Sequence, residues 1–250
     1  MRNQYSERSP HFLNDGIPVV YGSIVFPNEI GFDDKNERRK FITKVYLILW
    51  IQLMFTSVFM GICNQVTEVS DFMMSLYGTQ LGSLSILILF VLSIMMFCCD
   101  DYLKKSPMIY LLLFTCSVTY LMGFIGLSFS GGSLLLVGIT TLFIFMTLTL
   151  YAIQTTVDYT ISGNILLILL SGLVLFSFII SFTDTSIFNT TYSVIGSIIF
   201  SFYIVYDTQL IVGGGHRKIH FTPDDVVLAV ISLYLDIINL FLCLLGDSSN

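Results

Sequence analysis

The chain has 250 residues, of which 55% are apolar and only 11% are charged, and its net charge is −6. Soluble domains carry about 25% charged residues, so this composition excludes a globule that is covered by water. A net negative charge does not favour binding to the phosphates of nucleic acid. The composition therefore predicts a protein that is surrounded by membrane lipids and has no nucleic-acid partner.

The chain divides into a polar segment and a long apolar one. Residues 1–40 are polar and contain several prolines and glycines, which predicts a disordered cytosolic tail. Residues 41–250 hold seven apolar segments of the length that a helix needs to cross the hydrocarbon core. Open strands are excluded because they leave backbone groups unsatisfied in lipid. We predict an all-α membrane domain with spans near Val45–Cys63, Leu76–Cys98, Met108–Phe129, Leu134–Gln154, Ile161–Phe182, Tyr192–Val212 and Val226–Leu245.

The connection between the last two spans carries boundary signals. The run Gly213–Gly215 is typical of a helix end, with a hinge as the alternative. In Thr222-Pro223-Asp224-Asp225, Thr222 can cap a helix, Pro223 suits its first position, and the two aspartates face its positive end. We therefore expect the seventh helix to begin at this run.

The basic residues predict the orientation of the bundle. With seven spans, the tail and the second, fourth and sixth loops lie on one side. All eleven Lys and Arg fall there: seven up to Lys44, two in the second loop and two in the sixth. The other loops carry only the acids Glu68, Asp71 and Asp184. The positive-inside rule places the N-terminus in the cytosol, and the C-terminus lies on the far side unless the last segment is re-entrant.

Two carboxylic side chains fall within the predicted spans, Asp207 in the sixth and Asp236 in the middle of the seventh. A charge at a helix centre costs roughly 2.5–3.5 kcal/mol on insertion scales, so such a residue faces protein, water or an ion. A structural interpretation of either residue is a protonated aspartate that is hydrogen-bonded to a neighbouring helix. Two acids on adjacent helices favour a functional role.

The seventh span carries these groups on one face, where Ser232, Asp236, Asn239 and Cys243 recur at helical spacing. Ser232 and Asn239 are predicted to support the aspartate, and Asn239 could hydrogen-bond its carboxyl group. At 1.5 Å per residue, Asp236 lies about 15 Å from the start of its helix. Asp207 lies only about 7–8 Å from a helix end at Val212. If the sixth helix continues through the glycines, the two aspartates lie at nearly the same depth. Two arrangements are therefore possible, a direct pair of carboxyl groups or two aspartates at different depths.

A direct pair would have specific chemistry. Two carboxylates at close range in a low dielectric do not both ionise easily, so they share a proton and tie two helices together. Carboxylate oxygens also suit Ca²⁺, which takes six to eight oxygen ligands. Asp207 and Asp236 offer at most about four. The sequence therefore predicts a latch or a transient Ca²⁺ site, with Ca²⁺ as a permeant ion and no cofactor.

The residues around both aspartates resemble the transmembrane Bax inhibitor motif family, and its lifeguard and Golgi anti-apoptotic branch in particular. The resemblance covers residues 37–245 in order. It is carried by Arg39–Tyr46, by Tyr151–Thr155, by Val205–Ile211 (VYDTQLI), by Thr222–Asp225 (TPDD) and by Leu233–Phe241 (LYLDIINLF).

The resemblance implies six helices packed around a central C-terminal helix. It also implies a pH-sensitive Ca²⁺ leak that lowers store calcium and inhibits apoptosis, with the family's gating pair at Asp207 and Asp236. The implied location is the Golgi, the endoplasmic reticulum or the plasma membrane. Candidate protein partners are other membrane or apoptosis-regulating proteins and a second copy of the chain. Some members carry another acid where this chain has Ser232, and their basic C-terminal tail is missing here.

Two other function classes stay open. A non-conducting membrane adaptor would act on apoptosis by binding partners. An intramembrane aspartyl protease would also place Tyr-Asp on the sixth span and Asp on the seventh. Those enzymes have glycines before the second aspartate, where this chain has the bulky run Leu233–Leu235, and a later Pro-Ala-Leu run is absent. We therefore expect no enzymatic activity.

Overall fold

The computed structural model describes residues 35–98, 106–182, 186–213 and 221–247. These residues form helices and no strand, which confirms the all-helical fold class. Short 3₁₀ turns at Tyr159–Ser162 and Pro223–Asp225 precede the helices that begin at Gly163 and Val226. The helices are α1 (Lys35–Gln65), α2 (Thr67–Met74), α3 (Leu76–Cys98), α4 (Pro107–Gly126), α5 (Gly131–Gln154), α6 (Gly163–Ile180), α7 (Ser186–Val212) and α8 (Val226–Asp247).

Every helix except α2 is long and apolar enough to cross a membrane, which confirms the seven predicted spans. The eight-residue α2 was not predicted, and it turns the chain between α1 and α3. Helix α1 begins at Lys35, so the predicted boundary at residue 40 falls inside a helix. At 31 residues this helix is about 46 Å long, and it exceeds a hydrocarbon core of about 30 Å. The rest of the predicted tail, residues 1–34, lies outside the described residues.

Successive spans run in opposite directions. We call the end of the bundle where α1 begins the near end. There, the Arg38 guanidinium of α1 lies 3.0 Å from the position that a Cβ atom would take on Gly213, which directly follows α7. At the opposite or far end, the Asn64 side-chain amide of α1 donates to the carbonyl of Gly126 in α4, at 2.9 Å. Helix α8 therefore begins at the near end and ends at the far end, as a full span.

Helix α8 is the centre of the bundle. In its apolar window 67% of the residues are buried, compared with 11% in the windows of α3 and α6. Its main neighbours are α7, α1 and α5, followed by α4. Helix α8 carries Asp236, and a carboxyl group is costly next to lipid, so a position surrounded by protein suits this helix. The outward faces of the other helices expose Leu, Ile and Phe side chains, which suits contact with lipid.

The boundary signals between α7 and α8 have local structural causes. Gly213 adopts φ +57°, a conformation that favours glycine, and its N–H donates to the Gln209 carbonyl at 2.9 Å. The predicted helix end is thereby confirmed. At the start of the last span, the Asp225 carboxylate accepts from the N–H and the hydroxyl of Thr222, at 2.8 and 2.6 Å. Thr222 is thus the N-cap residue, as predicted, and Asp225 completes a capping box with it.

Candidate functional site

The two intramembrane aspartates meet in the interior of the bundle. Asp207 of α7 is 5% exposed and Asp236 of α8 is 7% exposed. The Asp207 carboxyl group lies against the Asp236 carboxyl group and close to the Ser232 hydroxyl. The Oδ2 atom of Asp236 is buried and has no hydrogen-bond partner among the described residues. Of the two arrangements that the sequence allowed, the structure has the direct pair.

The pair forms even though α7 ends at Val212. A helical side chain leans toward the N-terminus of its own helix. Because α7 and α8 are antiparallel neighbours, Asp207 leans toward the far end and Asp236 leans toward the near end. The two carboxyl groups therefore converge by several ångströms beyond what a count along the backbones indicates. This leaning narrows the gap between the two carboxyl groups, and α7 does not extend past Val212.

The surroundings of the pair contain few further oxygen ligands. Within the described ranges, no group of three or more His, Cys, Asp or Glu is placed to hold a metal ion. The Ser232 hydroxyl is a further oxygen-bearing group close to the Asp207 carboxyl group, and it donates to the Ala229 carbonyl at 3.3 Å. Because Ca²⁺ takes six to eight oxygen ligands, the residues present fit a transient contact or a proton-sharing latch better than a storage site.

Asn239 does not make the hydrogen bond that the sequence suggested. Its amide donates to the Leu235 carbonyl at 2.8 Å, because a short polar side chain on a helix readily reaches the carbonyl one turn back. Asn239 and Cys243 instead line a cavity of about 410 Å³ between α6, α7 and α8. The cavity lies toward the far end, where Ser177, Asn189 and Ser193 add polar groups to its wall. The predicted polar face thus borders a partly polar space one helical turn from Asp236.

A family model described as inhibitor of apoptosis-promoting Bax1 matches residues 38–246. The chain belongs to the Bax inhibitor family. Human protein lifeguard 3 is 29% identical over 226 residues, which cover 86% of this chain and 71% of the relative. Protein LIFEGUARD 2 of Arabidopsis thaliana is 36% identical over 217 residues, which cover 83% of this chain and 86% of the relative. These findings confirm the family that the residues around the aspartates suggested.

In this Bax inhibitor family protein Gln209 holds the near end of the bundle together, a role that was not predicted from its place in the VYDTQLI motif. Gln209 is fully buried. Its Oε1 accepts from the Tyr159 N–H at 2.8 Å, and its Nε2 donates to the Val157 carbonyl at 2.9 Å and to the Ala152 carbonyl at 3.4 Å. The side chain two residues after Asp207 therefore fixes the loop between α5 and α6.

A second polar network joins the central helix to α1 and α4. The Tyr234 hydroxyl lies 2.7 Å from the Thr56 hydroxyl, which lies 2.9 Å from the Thr119 hydroxyl. One turn away, the Gln52 amide donates to the Thr115 hydroxyl at 2.5 Å. This network was not predicted, although the spacing of four residues within each of the two helices was a usable signal.

Proposed function

We propose that this protein is a pH-sensitive Ca²⁺ leak pathway of an intracellular membrane, that it lowers store calcium and inhibits apoptosis, and that Asp207 and Asp236 form its gate. The observation that carries the proposal is the meeting of these two buried carboxyl groups where α7 packs against α8. Membership of the Bax inhibitor family supports the link with apoptosis.

The physical basis of the gate is the charge of the pair. With one shared proton, the two carboxyl groups attract each other and hold α7 against the central helix. Without that proton, two negative charges at close range in a low dielectric repel each other strongly. The α7–α8 contact then loosens, and the exposed oxygens suit Ca²⁺. We expect acidification to favour the closed state and a rise in pH to favour the leak.

The far-end cavity supports an ion route on one side of the gate. Its volume of about 410 Å³ exceeds the share of about 30 Å³ that one water molecule takes in the liquid. Asn239 belongs both to the cavity wall and to the turn of α8 that follows Asp236. In the proposed mechanism a hydrated ion waits in this cavity and passes the aspartates when α7 and α8 separate.

The proposed location is the Golgi or endoplasmic reticulum membrane, with the near end in the cytosol. Arg38, Arg39 and Lys40 lie in the first turns of α1, and the positive-inside rule places such residues on the cytosolic side. An epitope tag before Arg38 should be removed by protease from intact microsomes. Protection of that tag until detergent is added would contradict the orientation.

Ca²⁺ flux from proteoliposomes tests the gate. The purified full chain is reconstituted with a Ca²⁺-sensitive dye, and efflux is measured from pH 6 to pH 8. The wild type should leak faster at the higher pH. Asp207→Asn and Asp236→Asn should each abolish this pH dependence, because an amide cannot lose a proton. Asp224→Asn is the matched control, since Asp224 is exposed at the near end and should leave the profile unchanged.

Two results would contradict the proposal: wild-type efflux no faster than from protein-free vesicles, or an unchanged pH profile in both intramembrane variants. A parallel assay of cell survival distinguishes the Ca²⁺ leak from the alternative of a non-conducting adaptor. If the Asn variants conduct no Ca²⁺ and still protect cells from apoptosis, the protein acts by binding partners. If protection is lost together with the leak, the gate carries the anti-apoptotic function.

A further inference from the structure

The outward face of α1 is cationic at the near end of the bundle. Five of the residues 35–44 are basic, and Glu37 is the one acid among them. Arg39, Lys40 and Lys44 are exposed. Three cations within six residues form a concentrated positive surface on a chain whose net charge is −6. Such a surface attracts an anionic ligand.

The same face of the helix becomes apolar directly after Lys44. Lys40, Lys44, Leu47 and Ile51 recur at the spacing of a single helical face. Leu47 and Ile51 are 60% and 58% exposed, and Trp50 beside them is 65% exposed. Lys44 is the last charged residue of α1. The edge of the hydrocarbon core therefore falls between Lys44 and Leu47, and the cations lie at the membrane surface.

The opposite face of these turns holds the cations in place. Phe41 and Val45 are buried in the core of the bundle, and the Thr43 hydroxyl donates to the Arg39 carbonyl at 2.8 Å. The near end of α1 is thus packed against the protein as a regular helix. Because the backbone below the cations is already ordered, a ligand binds to them with little loss of conformational freedom.

The three cations lie at two heights above the hydrocarbon. At 1.5 Å per residue, Lys44 is about 4–5 Å above the level of Leu47, and Lys40 and Arg39 are about 10–12 Å above it. The headgroup layer adds about 5–8 Å to each side of the hydrocarbon core. Side chains on α1 lean toward its N-terminus and thus away from the hydrocarbon. Lys44 therefore reaches the phosphodiester groups of the lipids, whereas Arg39 and Lys40 stand above them.

We propose that Arg39, Lys40 and Lys44 bind the headgroup of a phosphoinositide, a phospholipid whose inositol ring carries further phosphate groups above the phosphodiester. Lys44 binds the phosphodiester, and Arg39 and Lys40 bind a ring phosphate at the greater height. A guanidinium group can bind a phosphate through two parallel hydrogen bonds, and an ammonium group binds it as a point charge. Phosphatidylserine has no phosphate at the greater height. The acyl chains of the bound lipid lie along Leu47 and Trp50.

The single tryptophan of the chain provides the assay. Trp50 is exposed on the face that the acyl chains would cover, and bromine atoms on a lipid chain quench tryptophan fluorescence at short range. The full chain is reconstituted in phosphatidylcholine vesicles that contain brominated phosphatidylinositol 4-phosphate, or brominated phosphatidylserine at equal total charge. Trp50 should be half quenched at a lower mole fraction of the phosphoinositide than of phosphatidylserine. Both leaflets carry the lipid, so the orientation of the protein does not affect the result.

Substitutions on α1 show which cations bind the lipid. A cation near an anionic membrane surface contributes about fivefold to binding, so Arg39→Gln combined with Lys40→Gln should weaken the association with the phosphoinositide about 25-fold. Arg38→Gln is the matched control. Arg38 carries the same charge, but it is half-buried and its guanidinium lies beside Gly213, so its loss should leave the quenching curve unchanged.

The phosphoinositide site is wrong if phosphatidylserine quenches Trp50 as effectively at equal charge, because the attraction is then a diffuse effect of the membrane surface. It is also wrong if the double variant is quenched like the wild type, or if Arg38→Gln weakens the association as much as the double variant does. The assay contains no Ca²⁺ and measures no flux. Failure of this site and failure of the proposed leak function are therefore distinguishable.

Discussion

Replacement of Gln209 by methionine tests how far one buried side chain stabilises the near end of the bundle. Methionine has almost the same length and makes no comparable hydrogen bonds. The change removes the 2.8 Å bond from the Tyr159 N–H and the 2.9 Å bond to the Val157 carbonyl, together with the weaker contact with Ala152 at 3.4 Å. The backbone groups of the α5–α6 loop then lose their partners inside the protein.

The magnitude follows from those two short bonds. A buried polar group that loses its partner costs about 1–3 kcal/mol. We expect the lower part of that range for each group, because Val157 is exposed at the surface and its carbonyl can regain a partner. The free energy of unfolding should therefore fall by about 2–4 kcal/mol. For a chain of this size, this corresponds to a fall in melting temperature of roughly 5–15 °C.

Free cysteines provide the assay. Cys63 and Cys243 are free and buried, so a thiol-reactive fluorogenic dye reports their exposure on unfolding in detergent. The remaining cysteines, Cys98, Cys99 and Cys116, are replaced by serine in both the reference protein and its variants.

Gln80→Met is the matched control, since Gln80 is an exposed residue of α3 and its replacement should not lower the melting temperature. If Gln209→Met lowers the melting temperature no more than Gln80→Met does, the hydrogen bonds of Gln209 do not stabilise the protein and the reasoning is refuted.

Three other substitutions probe the packing in the same assay. Gly213→Ala should lower stability by about 1–2 kcal/mol because an L side chain is strained at φ +57°, and Gly213→Asn should lose less; equal losses would contradict this cause. Gly196→Ala should destabilise because its Cβ would lie 2.6 Å from the Cys243 sulfur, and the added change Cys243→Ala should restore the melting temperature, which a purely local helix effect would not allow. Tyr234→Phe should cost only about 0.5–1.5 kcal/mol, since Thr56 keeps another hydrogen-bond partner; a larger loss would mean that the Tyr234 hydroxyl has a further role.

The depth of the aspartates could be only partly predicted. Position along each helix gave the distances to the helix ends, about 7–8 Å for Asp207 and about 15 Å for Asp236. The direction of the side chains, which brings the two carboxyl groups toward each other, was not included in these distances. The predicted hydrogen bond from Asn239 to Asp236 was wrong for a related reason. Its place on the Asp236 face was predicted, whereas its hydrogen bond went to the Leu235 carbonyl of its own helix, because the nearest acceptor depends on the side-chain rotamer.

The sequence by itself determined the seven spans, the two intramembrane acids and the end of α7 at Gly213. These are local properties: a run of apolar residues must find lipid or protein, and a glycine permits a left-handed turn wherever it occurs. Only the tertiary structure decided that Asp207 meets Asp236, that Gln209 fixes the loop after α5, and that the Tyr234 hydroxyl reaches Thr56 of α1. Such contacts depend on the register and rotation of helices that are far apart in the chain, and no local pattern encodes either.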